Sequence, residues 1–425
     1  MVQQLDLTGI TLRYTAGSLS KTEYYSLAGE TGEEIAVDIL NDIELWAPAG
    51  ATVTAEVAAI EVGTLFGPAT YASPATPQKQ YTFNAHFAGG DGESKNTAYL
   101  INCARQFMNI QRLKYDNEEL GPNTVSGHFK LTADIDLSGE QPWECLYLFN
   151  GHLQGAGHTI SNLKIEFNEK GFYGLFGQMR AGSVSDLTLK GIDISGEVRD
   201  GGAVYVGGIS GSSGTITNCV VYGEISVTAV RGAVGGIVGV SENPIRGCWN
   251  WATVTAVTLP SDIAGSTCDV GGIVGCCNSS VSDCLNIGVV TSVDGAAGGI
   301  AGSCESAVVN CINQSGVQLE VTAVNNEWTR AGGIVGHNWQ GGTVRGCTNQ
   351  GLVAFVGDNL NDSRELQPAL GEIVGRNLGT VTDDNHSDDG TLKVGTLKVV
   401  TWQVLFWTNS FDQTLYCNTI VGREG

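Results

Sequence analysis

Apolar and polar residues alternate through residues 1 to 87, in ITLRY, EEIAVDIL, ATVTAEV and YTFNAHF, with Gly, Asn and Pro between the runs. Period two marks strands with one buried face, so this stretch predicts a small β-sandwich domain. Pro68, Pro74 and Pro77 interrupt it, and AGGDGESKN at 88 to 96 reads as a linker. The period then changes. Leu100, Cys103, Phe107, Ile110 and Leu113 recur at steps of three and four, which predicts one amphipathic helix near 97 to 113. From about 124 short strands return, first in GHFKLTADIDLSG and then in FNGHLQGAGHTISNLKI.

Beyond that point the pattern repeats itself. GGIVGVSENPIRGCWNWATV is followed by GGIVGCCNSSVSDCLNIGVV, GGIAGSCESAVVNCINQSGV and GGIVGHNWQGGTVRGCTNQGLV. The closing glycines are Gly177, Gly211, Gly239, Gly275, Gly302, Gly336 and Gly375, spaced 27 to 39 residues apart. Eight to eleven residues after each stands a second landmark: Leu187, Cys219, Cys248, Cys284, Cys311, Cys347 and Asp384. Asn250, Asn286, Asn313 and Asn349 follow their cysteines by two, and Ile225, Val254, Val290, Val317 and Val353 follow by six. The variation in length falls at one junction, so 255–270, 318–331 and 354–370 are expected to project from one edge.

Three short apolar runs per period are what a parallel β-solenoid with three strands per coil requires. Each coil stacks on the last at about 4.8 Å, and a position repeats because its neighbours above and below repeat. Inward Ile or Leu of GGIVG contributes roughly 1.5 to 3 kcal/mol per buried side chain. Cysteine acts as a small apolar residue in a crowded corner, and the five cysteines 219, 248, 284, 311 and 347 are expected as a buried, reduced ladder. The asparagines can bond the coils above and below. Ile245 and Cys248 stand three apart, which breaks period two and predicts a bend between them. Cys277 and Cys304 occupy equivalent places in neighbouring coils, about 5 Å apart, within disulfide reach; free thiols and a bond both remain open.

Composition narrows the function classes. With 59 glycines and only 16% charged residues, the chain of 425 residues is an ordered one rich in turns. A formal charge of -22 repels phosphate backbones and anionic headgroups, so nucleic acid is not an expected partner. No segment reaches the eighteen apolar residues of a membrane span, and MVQQLDLTGI lacks the build of a signal peptide. The expectation is an extracellular or cell-surface protein whose targeting segment is absent from this chain.

AYLINCARQFMNI, GHFKLTADIDLSG, FNGHLQGAGHTISNLKI and GFYGLFG, in that order and followed by the registered glycine motifs, resemble the GLUG-repeat family of bacterial surface and secreted proteins. Its repeats also occur in non-catalytic regions of IgA-protease type metallopeptidases. The resemblance covers residues 97 to 390. It implies a right-handed parallel β-helix with an amino-terminal capping helix, serving adhesion or ligand binding, and it implies no reaction. FNGH at 149 to 152 and Glu372 in GEIVG depart from the family pattern. TLKVVTWQVLFWTNS lies in a tail, 391 to 425, expected to be a β-rich cap that blocks edge pairing.

No chemistry converges in the sequence. Asp383, Asp384, Asp388 and Asp389 form the acidic cluster of the repeats, and their spacing is not that of a calcium loop. The histidines at 86, 128, 152, 158, 337 and 386 are scattered, with no His-Glu-x-x-His and no Gly-x-Ser-x-Gly; His152 and His158 are the pair that one strand face would bring together. No cofactor and no metal are expected. What remains is an outward stripe. If the cysteine and asparagine point inward, then Val220, Tyr222, Trp249, Trp251, Leu285, Ile287 and Ile312 point outward. Such a patch marks a contact surface for a host or microbial glycan or protein, unless another part of the chain covers it or the strand phase is inverted. A non-enzymatic adhesion module, a glycan-active lyase or hydrolase and a structural stalk are the competing readings.

Overall fold

The computed structural model describes residues 7–27, 52–64, 67–72, 81–84, 87–112, 114–117, 121–139, 143, 145–261, 266–314, 318–323, 329–357 and 369–388, with short strands at 392–394, 416–418 and 421–424. The chain divides into two units, Met1–Asn109 and Ile110–Gly425.

In the first unit β1 (Leu7–Ala16) pairs antiparallel with β2 (Leu19–Ser26) and β3 (Thr52–Thr64), and β3 also pairs with β4 (Gly67–Ala72) and β5 (Tyr81–Asn84). Leu12, Tyr14, Ala16, Val53 and Ala55 share the buried face, as period two demands. The described strands make one sheet; residues 28–51, where further strands of the expected sandwich would fall, lie outside the described residues. The linker expected at 88–96 is instead folded onto its neighbours. Ala88 donates to the Leu100 carbonyl (2.7 Å), Leu100 donates to Gly89 (2.8 Å), and Ser94 caps a 3-10 turn at Lys95–Thr97. The expected helix contracts to α1 (Ala104–Met108), followed by a 3-10 turn at Asn109–Arg112. Tyr99–Ile101 is extended, and Cys103 is the exposed N-cap. Only Phe107 and Ile110 of the stripe are fully buried; Leu113 lies outside the described residues.

The second unit is almost entirely β and its long sheets are parallel. One repeat shows the plan: β6 (Val238–Ser241), β7 (Ile245–Arg246), β8 (Trp249–Asn250), β9 (Thr253–Thr258) and β10 (Cys268–Gly271). Each pairs in register with its counterpart in the next repeat: Val238 with Val274, Ile245 with Val281, Trp249 with Leu285, Val254 with Val290 and Val270 with Ala297. The β6 row forms one sheet, the β7 row a second, and the β8, β9 and β10 rows merge into a third, 21-stranded sheet. The repeats opening at Phe176 and Ser210 hold the expected three strands, whereas the four from Val238 onward divide into five short ones, shared in every case among three sheets. A side-chain turn at Asn250 to Ala252 divides β8 from β9, and residues 259–267 divide β9 from β10.

The bend expected between Ile245 and Cys248 falls on Gly247, whose φ is +64°. The residue before the landmark is left-handed in every repeat from Leu187 to Cys347: Asp186 (53°), Asn218 (53°), Gly247, Asp283 (55°), Asn310 (53°) and Gly346 (61°). Gly, Asn and Asp are the residues that tolerate this region.

A further expectation changes. Thr255–Thr258, Gln318–Ala323 and Ala354–Gly357 are paired strand rather than projecting loop, and in the first two the buried Ala256, Leu319 and Val321 continue the apolar face; 262–265, 324–328 and 358–368 lie outside the described residues. In the tail, Leu392–Val394, Tyr416–Asn418 and Val421–Glu424 add parallel strands to the rows before them.

Candidate functional site: an exposed aromatic stripe

The interior fixes which side chains face out. Cys219, Cys248, Cys284, Cys311 and Cys347 are all free and at most 1% exposed. Each thiol donates to the carbonyl two residues earlier, at 3.2 to 3.4 Å. Burial first, then the neighbouring thiol, pushes Cys248, Cys284 and Cys311 well above the ordinary thiol range; for Cys347 the bond with Cys311 comes first and burial second. These are inert packing groups. On the seventh rung Asn385, not the expected Asp384, succeeds Cys347: its Oδ1 accepts from the Cys347 amide at 2.9 Å.

Two residues on, the asparagines form a hydrogen-bonded column. Asn250 Nδ2 donates to Asn286 Oδ1 (2.9 Å), Asn286 to Asn313 (2.9 Å) and Asn313 to Asn349 (2.8 Å). The same carboxamides close local turns: Asn250 with Ala252, Asn286 with Gly288 and Asn349 with Gly351. A dependence that sequence reading missed follows. A Cβ on Gly236 would lie 2.3 Å from the Asn250 Oδ1, and Gly272, Gly299 and Gly333 stand equally close to Asn286, Asn313 and Asn349. At these four positions the asparagine and a carbonyl of the next repeat together fill the space that a side chain would need.

With cysteine and asparagine inward, the residues between them face solvent. Val220, Trp249, Leu285 and Ile312 stand in register on adjacent strands, and Tyr222, Trp251 and Ile287 form a second row. Trp249 is 47% exposed, Trp251 45% and Ile312 40%; Val220, Tyr222, Leu285 and Ile287 are half-buried. The Tyr222 and Trp251 rings stack at 5.7 Å and 18°. Among the described residues the cysteine and asparagine side of these strands is the buried one. Thr348 succeeds Ile312 on the next rung, where the apolar row ends.

The remaining candidates do not assemble. His152 and His158 take different partners: His152 stacks on His128 at 4.7 Å and bonds Ser183, while His158 meets Asp134 at 3.3 Å. Asp384 bonds Thr382, and Asp388 bonds His386 at 3.1 Å; Asp389 and His86 lie outside the described residues. Among the described residues no group of His, Cys, Asp and Glu is placed to hold a metal, and no helix is long and apolar enough to cross a membrane. Cys277 and Cys304 stand in register as free, buried thiols.

No family model matches the chain. Halomucin of Haloquadratum walsbyi is 32% identical over 162 residues, 36% of this chain and 2% of that protein. A protein of Evansella cellulosilytica described as a Gly-rich membrane protein is 34% identical over 143 residues, 31% of this chain and 15% of its own length. The chain thus spans a small part of these curated relatives. Among solved structures, a Bacteroides ovatus protein assigned as an immunoglobulin A1 protease matches with a TM-score of 0.50 and 21% identity, covering 76% of this chain and 92% of that one. That likeness concerns the fold.

Proposed function

We propose that this chain is a non-enzymatic binding module of a secreted or cell-surface protein, built as a right-handed parallel β-helix of GLUG type, and that it holds a glycan or protein surface against its aromatic stripe. The observation that carries the reading is the exposure of Trp249, Trp251 and Ile312 in rows that the buried cysteine and asparagine columns hold in place. On the four rungs from Val220 to Ile312 this outward row is apolar, where solubility favours polar side chains. Tryptophan and tyrosine offer a flat apolar face and a polar edge, suited to a sugar ring or a protein patch. The exported location is supported by the Gly-rich membrane protein and the immunoglobulin A1 protease among the proteins it resembles.

The test is the double variant Trp249→Ala, Trp251→Ala, assayed for retention on mucin-type glycoprotein and on a glycan panel, with products analysed for cleavage. Retention is expected to fall about thirtyfold, the equivalent of roughly 2 kcal/mol for central aromatic anchors, with the melting temperature unchanged. A large fall in melting temperature would make the stripe packing, and cleaved products would make the chain an enzyme.

A further inference from the structure

A cleft is lined by residues other than those of the stripe. Two rows of side chains, each contributed by four successive repeats, face one another across a cleft of about 520 Å³. One wall is Phe172, Tyr205, Ala233 and Asp269, in register on adjacent parallel strands. The other is Gln178, Ser212, Val240 and Cys276, likewise in register. Four rungs span three strand spacings, about 14 Å. At one end the Phe172 and Tyr205 rings stack at 5.0 Å. At the other the Asp269 carboxyl accepts from Thr267 Oγ1 at 3.0 Å and bonds Ser303 on the next repeat. Beyond it the rows continue through Ser303 and His337, 2% and 4% exposed, so side chains fill the space and the cleft ends. Arg231 and Glu242, both exposed, line its mouth.

We propose that this cleft binds an extended oligosaccharide of uncharged hexoses. Its volume is that of a small-ligand site, and its make-up, an apolar wall with a few convergent polar groups, is that of such sites. The rings supply apolar surface for C–H faces of sugar rings, and the guanidinium, carboxylates and amides supply directional partners for hydroxyls. An extended peptide fits worse. A peptide is held through main-chain bonds to a free sheet edge, whereas both walls here are sheet faces whose backbone groups already pair with adjacent repeats. A polyanionic glycan is repelled by Glu242, Asp269 and a chain of net charge -22, with Arg231 the cation of the lining.

The experiment titrates the whole chain calorimetrically with cellohexaose, laminarihexaose and mannohexaose, and in parallel with a hyaluronan hexasaccharide and a strand-forming peptide. At least one neutral hexamer is expected to bind saturably, at least tenfold more weakly to Arg231→Ala, Glu242→Ala, and within twofold of the parent to Arg345→Ala, an exposed position outside both the cleft and the stripe; the Trp249→Ala, Trp251→Ala variant tells the stripe from the cleft. Both cleft substitutions are at exposed positions, and melting verifies the fold. Ala203→Trp, at a half-buried lining position, blocks the cleft without removing a polar group and is expected to abolish binding. No saturable binding by any neutral hexamer, preference for the anionic sugar or the peptide, or binding indifferent to the cleft variants each overturns the proposal; loss in the tryptophan pair alone moves the sugar to the stripe.

Discussion

Single side chains carry two kinds of information here, and only one was readable in the chain itself. Cysteine and asparagine two apart, repeated four times, give the strand phase outright, because on a pleated strand residues i and i+2 share a face; the outward tryptophans follow from them. The dependence of Gly236 on Asn250 was not readable, since it arises where a bend and a side chain fourteen residues apart in sequence come together inside the repeat. His337 belongs to the second kind. It is 4% exposed, its ring lies 3.9 Å from that of Trp339, and burial, then Arg376 and Arg330, push it down to about 3. An unfolded histidine titrates near 6.5, so between about 3 and 6.5 the unfolded chain holds the extra proton and stability falls as pH falls. His337→Gln is expected to remove that loss, a difference of up to about 1.4 kcal/mol per pH unit, seen by comparing the melting of variant and parent at pH 7 and pH 4.5. Equal losses in both would sink the assignment.

At the scale of elements, the turns were written plainly and the boundaries were not. Asp186, Asn218, Gly247, Asp283, Asn310 and Gly346 all precede a landmark and all are left-handed, a signal present in the sequence as NC, GC and DC and, in the first repeat, DL. Asn310→Ala is expected to cost about 1 to 2 kcal/mol, and Asn310→Gly distinctly less, in chemical denaturation; equal costs would mean that the Asn310 bond to Asp283, at 3.4 Å, and not the backbone, holds the turn. The helix over 97–113 was overextended because three-and-four spacing is also met by chance across a strand, a cap and a short helix in succession. Variable length makes the junction segments read as loops in the sequence, yet length varies only in part of each. The first residues keep the alternation of a strand, and pairing to the next repeat claims them.

For the molecule as a whole, the repeats stack so that each pairs with the one before and the one after, and the cleft shows what such stacking adds. Its walls come from residues some thirty apart that only register brings together, which is why no local motif announced it. The same one-dimensional order governs stability. Where each unit touches only its neighbours, stability is a sum of local terms and nearest-neighbour terms, and opening need not be global. Asn286 is the place to probe this, since its carboxamide bonds Asn250 on one side, Asn313 on the other and its own turn at Gly288. Asn286→Ala leaves buried amide groups unpaired, at about 1 to 3 kcal/mol each. Amide exchange is then expected to quicken in the strands at Thr253–Thr258, Val290–Val293 and Gln318–Ala323, and to stay as in the parent at Thr159–Ser161, far along the stack. Uniform quickening from end to end would show instead that the second unit unfolds as one cooperative body.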